Sequence, residues 1–221
     1  MDSKQESFEC DTLSEVRIII VGKTGNGKST LGNILLGKSS FPVCCSMSST
    51  TLGTQMDEGQ FKGKQLKVVD TPDIANLGLT SDEAQRQVSE WKRLMTPDPH
   101  AILLTVRCDA PYTPTEYALY RQLQWLWGGN SLSQRLVVAF TFGDRLDLQV
   151  DTVLRTVSKE LQSVVKDASG RYVVFNSKAT DDEKGQQVQN LLDILEKLGE
   201  EIKDIEREKI LGVQICPCGP V

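Results

Sequence analysis

The sequence has little of what membrane, secreted or nucleic-acid-binding proteins require. No apolar stretch reaches the roughly 18 residues of a transmembrane helix, so we predict no membrane span. Residues 1–13 are polar and acidic and lack the apolar core of a secretion signal. Acidic residues outnumber basic ones, and the formal net charge of −5 argues against a general nucleic-acid binder. The expected location is therefore cytoplasmic.

Histidine is scarce, and the cysteines do not form a metal-binding pattern. The one histidine, His100, is far in sequence from Cys216 and Cys218, so we predict no zinc site. The cysteines number six, but without a secretion signal we expect a reducing compartment and free thiols. We favour an unmodified tail around Cys216 and Cys218, with lipid modification of this pair as the alternative.

The chain is long enough, at 221 residues with 39% apolar, for one α/β domain with a sizeable core. Strand and helix patterns alternate, which predicts a mainly parallel six-stranded sheet with helices on both faces. Residues 54–70 read as a hairpin, residues 150–165 as a helix, and residues 182–210 as a long C-terminal helix. We expect a flexible leader over residues 1–14, one domain over 15–211, and a tail over 212–221.

A glycine-rich loop between a strand and a helix is the most informative motif. An apolar run precedes it and a helical pattern follows it, which is the context that a phosphate-binding loop requires. Glycines allow a tight curl, so that backbone N–H groups and the helix N-terminus can face phosphate oxygens. A glycine-rich turn that binds nothing is the alternative. The predicted phosphate-contacting residues are Gly22, Lys23, Thr24, Gly25, Asn26, Gly27, Lys28, Ser29 and Thr30.

Four side chains are predicted to serve the phosphates and a magnesium ion. Lys28 should bridge the β- and γ-phosphates, and the Ser29 hydroxyl should bind Mg²⁺. Asp70 directly follows an apolar strand, where its carboxylate can hold the same ion through water. The segment 45–53 offers several hydroxyl groups, of which we predict that Thr50 reaches Mg²⁺ and the γ-phosphate. A plain turn at Asp70 and a Ser/Thr loop without such a role are the alternatives.

Two later strand ends carry side chains able to recognise guanine. The Asp144 carboxylate can accept hydrogen bonds from the guanine N1–H and exocyclic amine, which adenine cannot supply in that geometry. Asp147 is the alternative reader. Asn176 should close over the base, although an Asn after a strand is also an ordinary turn residue. GTP or GDP with Mg²⁺ is thus the predicted ligand, and an ATP-dependent small-molecule kinase is disfavoured because no catalytic base is visible. The residues of the first strand end are Thr141, Phe142, Gly143 and Asp144.

The chain resembles the immunity-associated GTPases (the IMAP family), which are related to septins and to chloroplast import receptor GTPases. The resemblance covers roughly residues 17–211 and is most specific at 68–74 and 97–104. It implies the P-loop GTPase fold, a Thr-x-x-acid guanine reader over residues 141–144, and a base contact from Asn176. It further implies homodimers or heterodimers with related GTPases through the nucleotide face, peripheral membrane attachment for some members, and a role in immune cells.

The sequence departs from that family pattern at positions near the γ-phosphate. Asp73, which we count among the nucleotide-contacting residues, stands where small GTPases place a glycine, and its charge would repel phosphate. Ile74 stands where a water-positioning glutamine is common, and Pro111 where some members carry an arginine. Arg107 is a weak substitute. We therefore predict a GTP-dependent switch or scaffold with slow hydrolysis, with a non-hydrolysing interaction module as the alternative.

Overall fold

Six strands form one sheet in the computed structural model, which describes residues 14–43, 53–74, 79–146, 152 and 154–210, the last five as backbone only. The strand order is β2-β3-β1-β4-β5-β6, and all neighbours are parallel except the β2–β3 hairpin. The predicted fold class and hairpin are confirmed. The strands are β1 (Glu15–Val21), β2 (Gln55–Phe61), β3 (Lys64–Asp70), β4 (Ala101–Arg107), β5 (Leu136–Thr141) and β6 (Tyr172–Val174).

Helices cover both faces of this sheet, as the alternating pattern predicts. On one face the core includes Trp91 and Leu123, and on the other it includes Leu35 and Leu191. No helix within the described ranges combines the length and apolar character needed to cross a bilayer. The helices are α1 (Lys28–Leu36), α2 (Ser81–Leu94), α3 (Pro114–Trp127), α4 (Gly129–Ser133), α5 (Lys159–Asp167) and α6 (Asp181–Ile210).

The helix expected over residues 150–165 differs from the observed one. Ser158 has an extended backbone, and its hydroxyl accepts a hydrogen bond of 3.3 Å from the Leu161 N–H. Serine is a favoured N-cap because its oxygen satisfies an N–H group at the helix start. The cap therefore begins a separate helix at Lys159, and this helix continues to Asp167.

One cysteine lies among the described residues. Cys108 is a free thiol, as predicted, and burial raises its pKa to about 12. A thiol with so high a pKa is a poor nucleophile at neutral pH, so Cys108 is a packing residue. The other cysteines, which lie outside the described residues, are Cys10, Cys44, Cys45, Cys216 and Cys218.

The parallel strands bring distant segments to one edge of the sheet. β1 pairs with β3 so that Ile20 lies opposite Asp70, and β4 pairs with β5 so that Arg107 lies opposite Thr141. The phosphate-binding loop candidate leaves the carboxyl end of β1 at this edge. Ligands of open α/β sheets bind at the carboxyl ends of the strands. The fold thus assembles the predicted site residues from segments far apart in sequence.

His100 joins the start of β4 to β1. Its ring Nδ1 accepts a hydrogen bond of 2.9 Å from the Arg17 backbone N–H, and the His100 backbone N–H donates to the Arg17 carbonyl at 2.8 Å. Burial, and then the positive charge of Arg17, lower the pKa of His100 to about 4, against the opposing charge of Glu15. The hydrogen bond from the Arg17 N–H therefore requires the neutral imidazole ring, with Nδ1 unprotonated.

We expect the free energy of unfolding to fall by about 1–2 kcal/mol as the pH drops from about 6.5 to about 4. The unfolded chain has the higher histidine pKa, so it binds the proton first and gains stability relative to the folded state. Urea unfolding across this pH range measures the effect. His100→Asn keeps an acceptor for the Arg17 N–H and should flatten this part of the profile; identical profiles would contradict the assignment.

Candidate functional site

The glycine-rich loop has a shape that suits phosphate. Gly27 precedes α1 with a left-handed φ of 81°, and no side chain of the described residues caps this helix. The first N–H groups of α1, with their partial positive charge, remain directed toward the loop. At Gly22 a Cβ atom would lie 2.2 Å from Thr105 Oγ1, so only glycine fits there. The loop therefore provides the amide-rich concavity that an anion requires.

A buried hydrogen-bond network supports this loop from behind. Asn26 Nδ2 donates to the Thr105 carbonyl at 3.0 Å and to Glu116 Oε1 at 2.8 Å. The Asn26 carbonyl accepts from Thr141 Oγ1 at 2.9 Å. Asn26 and Thr141, predicted to contact nucleotide, thus bond through these groups to the protein itself, and their nucleotide contacts stay predictions. Glu116 was missed, although Thr113 and Glu116 have the spacing of a capping box.

Lys28 lies within the loop. Its Nζ donates to the Gly22 carbonyl at 2.8 Å and to the Lys23 carbonyl at 3.2 Å. The residue is buried, and burial lowers its pKa, while the charges of Asp70 and Asp73 oppose that shift. A buried cation surrounded by carbonyl and carboxylate oxygens is the group that a phosphate would meet on entering the loop.

A hydroxyl and a carboxylate meet at the end of β3. Ser29 Oγ donates to Asp70 Oδ2 at 2.6 Å, and Asp70 is fully buried. Thr71 Oγ1 donates to the Ile20 carbonyl at 2.8 Å and holds the strand end in place. No three His, Cys, Asp or Glu residues within the described ranges form a cluster of metal ligands. Mg²⁺ fits such a pair, because it takes few protein oxygens and completes its shell with phosphate and water.

The remaining predicted magnesium ligand cannot be placed. Thr50 lies outside the described residues, as does most of the segment 45–53. Asp147, the alternative guanine reader, also lies outside them. Both assignments stay predictions, so Ser29 and Asp70 are the described pair that could hold the ion.

Residues 141–144 form the other half of the site. Phe142 has a left-handed φ of 58°, and its ring centroid lies 4.3 Å from the Arg107 guanidinium carbon and 5.3 Å from that of Arg145. The Gly143 N–H donates to the Phe175 carbonyl at 3.0 Å. A Cβ atom at Gly143 would lie 2.7 Å from Val174, so glycine permits β5 and β6 to end side by side.

Asp144 has one oxygen in an ion pair and one buried without a hydrogen bond. Its Oδ2 lies 2.8 Å from Lys178 Nζ, and this interaction holds the pKa of Asp144 below its usual value. Its Oδ1 has no hydrogen-bond partner among the described residues. A buried acceptor without a donor is costly for the protein alone. A base that offers N–H donors fits this oxygen. Lys178 was missed because only the folded chain brings it to Asp144.

Asn176 and a crevice complete the site. Asn176 Oδ1 accepts from the Lys178 N–H at 2.8 Å, which is the geometry of an ordinary turn, the alternative role of this residue. Its contact with a base stays a prediction. A crevice of about 50 Å³ runs between α1 and the ends of β5 and β6 and is lined in part by Thr30, Thr141 and Phe175. This crevice connects the phosphate loop with Asp144's strand end.

Asp73 lies against the phosphate loop. Its Oδ2 accepts a hydrogen bond of 2.6 Å from the Thr24 N–H, and its side chain is buried. Ile74, the next residue, packs into the core with Trp91 and Val88. The two positions that small GTPases use near the γ-phosphate are thus occupied by a carboxylate on the loop and by a core hydrocarbon.

The site and the sheet together define a P-loop GTPase fold. Toc33 from Arabidopsis thaliana, in complex with Mg²⁺ and GMPPNP, superposes with a TM-score of 0.64 and 16% identity, covering 86% of either chain. An Era variant from Aquifex aeolicus bound to GDP and AlF₄⁻ gives a TM-score of 0.57 at 20% identity, covering 82% of this chain and 57% of that one. At these identities the likeness establishes the fold.

Sequence comparison identifies the family. The model of the AIG1 family matches residues 16–211, and the chain belongs to the AIG1 family. Immune-associated nucleotide-binding protein 7 of Arabidopsis thaliana is 31% identical over 198 residues, which are 87% of this chain and 61% of the relative. GTPase IMAP family member 8 of Homo sapiens is 29% identical over 185 residues, 84% of this chain and 27% of the relative. The predicted resemblance is confirmed, and the chain spans less than two thirds of either relative.

We expect Asp144→Asn to change which base the protein accepts. An amide offers one acceptor and one donor, so guanine should lose about 100-fold in affinity while xanthine, which has a carbonyl at position 2, gains. Competition between GTP and XTP for the variant measures the change. Asp181→Asn, a fully exposed surface variant, is the control and should retain guanine preference. A shift caused by Asp147→Asn and not by Asp144→Asn would transfer the role to Asp147.

Proposed function

We propose that this chain binds GTP and GDP with Mg²⁺ and acts as a nucleotide-dependent dimerising switch or scaffold with slow GTP hydrolysis. One observation carries the proposal: a phosphate-type loop containing buried Lys28 and the buried, unpartnered Oδ1 of Asp144 lie at the same sheet edge. The proposed domain extends over residues 15–211. Structures of Toc33 with GMPPNP and with GDP, both with Mg²⁺, support the choice of ligands by analogy.

Each residue at this edge has a separate proposed task. Lys28 and the loop amides bind the β- and γ-phosphates, while Asp144 selects guanine. Ser29 and Asp70 hold the metal ion, which when bound neutralises part of the phosphate charge. Thr50 is the further proposed ligand. Ile74 is buried in the core and cannot orient water, which supports slow hydrolysis.

Dimerisation through the nucleotide face is the second part of the proposal. Dimerisation is important for the GTPase activity of the chloroplast translocon components Toc33 and Toc159, and Toc33 has this fold. Beside the proposed base site, Asp109 forms ion pairs with Arg107 and with half-exposed Arg145. Such a charged rim is typical of the border of a protein interface. A related GTPase or a second copy is the proposed partner. We also propose a cytoplasmic location, as the composition suggests, and peripheral membrane association and an immune-cell role by analogy with the family.

Lys28→Ala tests the nucleotide assignment. We expect the wild type to bind GDP in the presence of Mg²⁺, and the variant to lose about 100-fold in affinity because charged hydrogen bonds to phosphate disappear. Isothermal titration calorimetry measures both affinities. Lys38→Ala, which removes a half-exposed lysine at the other end of α1, is the matched control and should bind normally. Absence of binding heat from folded wild-type protein would overturn the proposed function.

The dependence of GTP hydrolysis on protein concentration tests the dimer. If a partner completes the active site, the single-turnover rate should rise about tenfold or more from dilute to concentrated protein. Lys28→Ala provides the background rate. A negligible rate at every concentration, with GTP still bound, would instead support the alternative of a non-hydrolysing interaction module.

A further inference from the structure

Asp73 is hydrogen-bonded to a backbone amide of the phosphate loop that an anionic ligand would also use. Its Oδ2 lies 2.6 Å from the backbone nitrogen of Thr24, whose N–H it accepts. Both residues belong to segments predicted to surround the phosphates: Thr24 to the loop itself, and Asp73 to the turn after Asp70. The contact is therefore a carboxylate held by a phosphate-loop amide.

The position of Asp73 is fixed by its surroundings. It is 2% exposed, and the neighbouring Ile74 is anchored in the core. Two residues before it, Thr71 is tied to the carbonyl of Ile20 by its hydroxyl. Because Thr71 and Ile74 are held in place, the Asp73 carboxylate can move away from Thr24 only if the backbone of residues 71–74 changes conformation.

Lys28 also senses the charge of Asp73. The carboxylates of Asp70 and Asp73 both act to raise the pKa of Lys28 against its burial. Asp73 therefore lies near the cation that is proposed to bridge the β- and γ-phosphates. Since like charges repel strongly where water is excluded, a terminal phosphate approaching this part of the loop would meet an unfavourable field.

We infer that Asp73 is a specificity-determining residue that makes the site favour GDP over GTP. The inference rests on the proposed function, because it requires guanine nucleotide binding. The carboxylate accepts from the Thr24 amide and acts on the charge of Lys28, so a γ-phosphate entering this part of the loop would compete with it more than a diphosphate would. The switch then rests in its GDP state, and GTP enters only when Asp73 withdraws from Thr24. A dimer partner that moves this turn would act as the loading signal.

Asp73→Asn separates charge from structure. The amide is nearly isosteric and retains an oxygen acceptor for the Thr24 N–H, but it removes the negative charge. Asp73→Gly removes the side chain altogether and is the second variant. Asp57→Asn, which removes a half-exposed carboxylate on β2 that is ion-paired to Lys38 and lies outside the proposed site, is the matched control. Circular dichroism and thermal unfolding establish that each variant is folded.

Calorimetric titration with GDP and with GMPPNP, each with Mg²⁺, provides the test. We expect wild type and Asp57→Asn to bind GDP at least about 10-fold more tightly than GMPPNP. In Asp73→Asn and Asp73→Gly the ratio of the GDP affinity to the GMPPNP affinity should approach one. The change should come from tighter GMPPNP binding, while the GDP affinity changes less than about threefold.

Two results would overturn the inference and leave the proposed function intact. One is equal binding of GDP and GMPPNP by the wild type. The other is a GDP-to-GMPPNP ratio that neither Asp73 variant changes, which would mean that Asp73 is a structural tie. If folded wild-type protein binds neither nucleotide, the proposed function fails, and the inference fails with it.

Discussion

The packing of the loop on Thr105 is the contact on which the site depends. Thr105 directly follows Leu104, the residue of β4 that pairs with Val21 at the end of β1. The Thr105 Oγ1 donates a hydrogen bond to the Val21 carbonyl at 3.1 Å. Gly22 then passes so close to this hydroxyl that a Cβ would overlap it. Five residues beyond Val21, the Asn26 side-chain amide donates a hydrogen bond to the Thr105 carbonyl. Gly22 and Asn26 thus both contact Thr105, and these contacts set the curvature of this part of the loop before any ligand binds.

This arrangement makes the loop part of the core. Glu116 bonds both to Asn26 and, through Thr113, to the start of α3, while Thr141 at the end of β5 bonds to the loop carbonyl of Asn26. Buried polar networks that are satisfied in this way hold their members in one geometry. The side chains that hold Asn26 in place therefore also determine where the loop amides point. A preformed loop loses less conformational entropy on binding than a mobile one.

The sequence was most informative where chemistry is tied to local spacing. The glycine loop, the hairpin and the strand-end aspartates follow from patterns within a few residues. The fold confirms the strand–loop–helix order and the hairpin, while the binding roles of the aspartates stay predictions. The helix expected over 150–165 was wrong because apolar spacing continued across Ser158, whose side chain caps a new helix. Lys178 and Glu116 were not found, since their roles arise from contacts with Asp144 and Asn26, respectively, that only tertiary structure creates.

Asp70 and Asp73 show why residue type alone does not define a role. Asp70 accepts from the Ser29 hydroxyl and belongs to a pair of hard oxygen ligands suited to a cation. Asp73, three residues further along the chain, instead accepts from the backbone amide of Thr24 in the phosphate loop. Both charges act on buried Lys28. A cation at Ser29 and Asp70 would weaken the pull of Asp70 on Lys28 and offset the field of Asp73, so metal and terminal phosphate would enter such a site cooperatively.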